Sequence, residues 1–186
     1  GLEAIAERGG DLHRWALEIT ADTAARIGDK TFAVSLYRQA LETGRENFAT
    51  RLALADVLLQ QGEADAVLDL LDGHKENVSA MIRMAIARKR AGRSTEDRMV
   101  ERIEASFSGM TPETLDDPRL RDRAIFELRY NDDPTLALQY TVANWQQQKG
   151  PEDFDLLRET AAKTNDPVAL ALVATWQAKK SEEARI

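Results

Sequence analysis

The chain has 186 residues, about one domain's worth, with 43% hydrophobic and 31% charged residues. Its 25 Lys and Arg against 32 Asp and Glu give a net charge of −7, which disfavours general binding to nucleic acid or anionic membranes because like charge repels. Cysteine is absent and only His13 and His74 are present, so disulfides, thiolate nucleophiles and zinc-thiolate sites are excluded and His chemistry has few parts.

In chain order, Leu2 to Arg8 reads as a short helical scrap that ends at Gly9-Gly10, the tail of a helix belonging to upstream sequence. Helices are then predicted over 11–27, 30–43, 47–61, 63–72, 77–91 and 95–108. A longer loop is expected over 109–116, with a turn at Thr111-Pro112. Helices over 117–131, 133–149, 151–164 and 166–180 complete the chain. The apolar residues recur at helical spacing. Leu12, Trp15, Ile19 and Ile27 form one stripe, and Phe32, Ala33, Leu36, Tyr37, Ala40 and Leu41 another. Met99, Val100, Ile103 and Phe107 form a third behind Ser94-Thr95-Glu96-Asp97, a capping-box pattern. Leu120, Ala124, Ile125 and Leu128 make a fourth. No useful stretch alternates with period two, so strands are not expected. The longest apolar run, Val168 to Trp176, is far short of the roughly 18 residues of a membrane span.

Punctuation supports the same division. Glycines at 28, 44, 62, 92 and 109 fall where helices should stop. Pro118, Pro134, Pro151 and Pro167 fall where helices should start. Three of them follow Asp, whose carboxylate accepts an orphan backbone N–H of the first turn, while Pro has no N–H to lose at the first helical position. The common interval of about 17 residues holds one helix and a tight turn, so two units repeat at about 34. Short connections force antiparallel neighbours. The expected fold is all-α: one α-solenoid domain over 1–186, with about five antiparallel helix pairs.

Segments 14–47 and 48–81 resemble the tetratricopeptide repeat. Its small eighth, twentieth and twenty-seventh positions are Ala21, Ala33 and Ala40 in the first segment, with Gly28 at fifteen and Tyr37 at twenty-four. The second segment keeps Ala55 and Gly62, but places Val67 and His74 at the other small positions. A weaker copy over about 78–108 has Ala85 and Gly92, with Asp97 where Ala is expected. From Asp117 the period persists without the signature, a degenerate continuation over 117–181. The resemblance implies a right-handed superhelix that binds a protein or peptide in the groove lined by the first helix of each repeat. It places Trp15, Glu18, Asp22 and Arg26 of the first repeat in that groove. Asp56, Leu59 and Gln60 follow from the second, and Ser79, Arg83, Lys89 and Arg90 from the third. The family's carboxylate clamp of Lys and Asn is not expected, since those positions hold Glu18, Asp22, Ala53 and Ser79, with only Arg83 basic.

Three further features have a structural and a functional reading. Residues 82–93 carry Arg83, Arg88, Lys89, Arg90 and Arg93 and no acid, beside six acids in 56–76. Cations at a helix C-terminus and pairing with the acidic helix explain this, and a basic patch for an acidic partner is the alternative. The acidic pairs Asp116-Asp117, Asp132-Asp133 and Glu152-Asp153 stand at helix starts, where capping outweighs acid–base catalysis. Trp145 and Trp176 are expected in the core, with an exposed anchor for a partner as the alternative, and His74 is expected to cap or pack. No catalytic set, cofactor loop or metal-ligand spacing is present, so a non-catalytic interaction scaffold is expected, with no nucleic acid and no membrane span. The alternatives are an oligomerisation segment of a larger assembly and a carboxylate enzyme on a helical scaffold. The Ala- and Asp-rich style resembles that of bacterial repeat proteins, with periplasm and cytoplasm both left open. Lys179 to Glu183 reads either as the polar end of the array or as a fraying terminus.

Overall fold

A computed structural model describes residues 2–43, 47–94, 97–114 and 117–183, with side chains from residue 10 onward. All regular structure among these residues is helical: α1 (Leu2–Arg26), α2 (Lys30–Glu42), α3 (Phe48–Gln61), α4 (Ala64–Leu71), α5 (Val78–Arg90), α6 (Asp97–Ser106), α7 (Leu120–Phe126), α8 (Pro134–Gln147), α9 (Pro151–Thr164) and α10 (Pro167–Glu183). The chain forms two compact units, Gly1–Val100 and Glu101–Ile186, and each is described by itself. Gly44, Thr95, Glu96 and Asp116 lie outside the described residues, and with them the stop expected at 44 and the middle of the capping box at 94–97.

In the first unit each helix packs on the next, from α1 through α5, and α3 also reaches α5. The starts are side-chain caps. Asp29 accepts the amide of Phe32 at 3.1 Å, Asn47 that of Ala49 at 3.0 Å, and Asn77 that of Ala80 at 3.2 Å. Gly62 stops α3 with φ 83°, and the Glu63 amide then closes on the Leu58 carbonyl at 3.0 Å. Ala21, Ala33, Ala40, Ala55 and Ala85 are all buried, where their small size lets helix backbones approach. After α4, a single 3-10 turn over Asp72–His74 carries the His74 ring to 5.1 Å from Phe48, the packing role expected of it.

One start differs from expectation. Gly9-Gly10 does not end a short helix, and α1 runs unbroken from Leu2 to Arg26. Glycine weakens a helix interior by about 1 kcal/mol without breaking it. At Gly10 a Cβ would stand 3.6 Å from the Thr43 carbonyl, so the missing side chain suits a close approach of α1 to the end of α2.

In the second unit α7 packs on α8, α8 on α9, and α9 on α10. Pro134, Pro151 and Pro167 each open a helix as predicted. Asp133 accepts the Leu136 amide at 2.9 Å and Asp166 that of Ala169 at 2.8 Å. Asp117-Pro118 behaves differently. Asp117 accepts from the amide and guanidinium of Arg119, both at 2.9 Å, which makes a tight turn, and α7 begins only at Leu120. The helix predicted to continue to 131 ends in a π-helical turn over Glu127–Asn131, with Asp132 left-handed at φ 56°. Trp145, Leu157, Ala161, Ala169 and Val173 form the core at the α8–α10 end. Trp176 meets Trp145 edge-on, centroids 5.1 Å apart at 88°.

Candidate interaction surface

The apolar stripe of α1 faces outward. Leu12, Trp15 and Ile19 recur at helical spacing with exposures of 67%, 60% and 44%. Ile27 and Phe32, at the turn into α2, are exposed as well. Leu12, Trp15, Ile19 and Ile27 therefore mark a surface, while Leu36, Tyr37 and Ala40 of the neighbouring stripe fill the core. Periodicity detects a one-sided helix, and it is silent on whether the apolar side meets this chain or another. The stripe sets large apolar side chains outward on one helix.

The polar residues beside Trp15 are engaged within the chain. Glu18 accepts from Thr50 Oγ1 and, at 3.0 Å, from Asn47 Nδ2, which ties α1 to the start of α3. Asp22 accepts the Tyr37 hydroxyl from α2. Arg26 is exposed and donates to Thr23 Oγ1 at 3.3 Å. Gln60 is exposed, and its backbone carbonyl accepts from Lys30 at 3.3 Å.

Asp56 and Arg83, 27 residues apart, form a two-pronged ion pair at 3.2 and 2.8 Å between α3 and α5. Arg83 is only 4% exposed and also donates to the Ser79 carbonyl, so its guanidinium is spent inside the unit. Lys89 and Arg90 are exposed, with Arg90 donating to the Leu59 carbonyl. Arg93 pairs with Asp65 of α4 at 2.6 Å, the pairing with the acidic helix that the charge contrast suggested. That carboxylate raises the Arg93 pKa.

Four arginines in the second unit form ties that motif reading passed over. Arg119 pairs with Asp117 at 2.6 Å, Arg121 with Asp153 at 2.7 Å, Arg123 with Glu127, and Arg129 with Glu159 at 2.7 Å. Asp153 is 1% exposed and accepts from Arg121 of α7, Asn144 of α8 and the Gly150 amide, the last at 2.9 Å. One carboxylate thus caps α9 and clamps three helices. Glu127 is also buried and accepts from Asn131 at 2.7 Å, while Arg123 lies 4.9 Å from the Phe107 ring centroid. Four arginines within 119–129 were the available signal.

The Arg119 hydrogen bonds hold the Asp117 carboxyl below the usual carboxylate range, against the opposing effect of burial. No group of three or more His, Asp or Glu suited to a metal ion occurs among the described residues. None of the described helices is long and apolar enough to cross a membrane. The chain matches no protein-family model, no curated protein and no solved structure.

Proposed function

We propose that this chain is a non-catalytic helical-repeat scaffold, tetratricopeptide-like and of bacterial style, that binds a protein partner through the first helices of its N-terminal repeats. The outward stripe of Leu12, Trp15 and Ile19 on α1 carries the reading. An apolar, α-helical or extended peptide segment is the fitting ligand, with Arg26, Gln60, Lys89 and Arg90 as exposed polar positions around the groove. Glu18, Asp22, Asp56 and Arg83 act as the frame that fixes the helices under it.

The carboxylates weigh against the enzyme alternative. Asp133 caps a helix, Asp153 is held by three donors, and Asp117 is driven toward ionisation. A general acid needs the opposite shift.

The test is affinity capture from source-cell extract with wild-type chain and a Trp15→Ala variant, followed by a binding isotherm on the protein recovered. Loss of an exposed Trp anchor weakens binding roughly 30-fold, about 2 kcal/mol. Unchanged affinity in Trp15→Ala and Ile19→Ala would remove α1 from the interface.

A further inference from the structure

We draw no further inference here: the strongest candidate, the pair of cations at the C-terminal end of α3, where Lys30 and Arg90 donate to the Gln60 and Leu59 carbonyls, carries nothing because those bonds cap the helix end and no second observation in the structure points to an anion beside them.

Discussion

Asp117, Asp133 and Asp153 all belong to acidic pairs at predicted helix starts, yet they do three different things. Asp133 caps α8 as its Asp-Pro context foretells. Asp153 sits at the third position of α9 and reaches back to the Gly150 amide, but its other donors come from residues 32 and 9 positions away. Nothing local marks those donors. Asp153→Ala leaves buried Asn144 without its acceptor and Arg121 without its counter-ion. Because Arg121 is one-third exposed and can turn to water, the expected loss is about 2 kcal/mol, below the usual cost of breaking a fully buried pair. Chemical denaturation checks it. Asp117 makes a pH prediction. Its native pKa lies below the unfolded value, so its pairing with Arg119 stabilises fully above the ordinary carboxylate pKa of about 3.9 and is lost as pH falls through the native value. The melting temperature of Asp117→Asn should fall below wild type at neutral pH, and the gap should close in strong acid.

At the scale of the element, caps and stops were readable because their causes are local. Asn47, Asn77, Asp133 and Asp166 each accept an amide two or three residues on, and Gly62 takes the left-handed turn after α3. Asp133→Ala should cost about 1 kcal/mol, a drop of roughly 2–4 °C in melting temperature. Gly62→Ala should cost a similar amount although nothing lies within 4 Å of the added Cβ, because the cost is in the backbone at φ 83°. The direction in which an element faces was less readable. The stripes of α1 and α2 look alike in sequence, yet Trp15 is exposed and Tyr37 buried. What separates them is the presence of a neighbouring helix. The π-helical turn after α7 escaped for a related reason: it depends on Glu127, whose carbonyl takes the Asp133 amide at 2.9 Å and whose carboxylate is held from α7 and Asn131.

For the whole molecule, protection should follow the packing within each unit. Residues 80–87 of α5 are buried throughout, whereas α10 buries only Ala169 and Val173. Hydrogen exchange should therefore be slowest in α5 and fast in α10. The ties between helices also share a length along the chain. Asp56–Arg83 spans 27 residues, Glu18–Thr50 and Arg121–Asp153 span 32, and Arg129–Glu159 and Met110–Tyr140 span 30. None of these waits on a distant segment. Each tie can close once the next 30 or so residues are available to fold, without waiting for contacts from the far end of the chain. Little entropy is spent on loop closure at any one step. The carboxylate of Asp153 shows the consequence: it is buried only once α9 has brought it to Arg121 and Asn144, and both stand no more than 32 residues upstream.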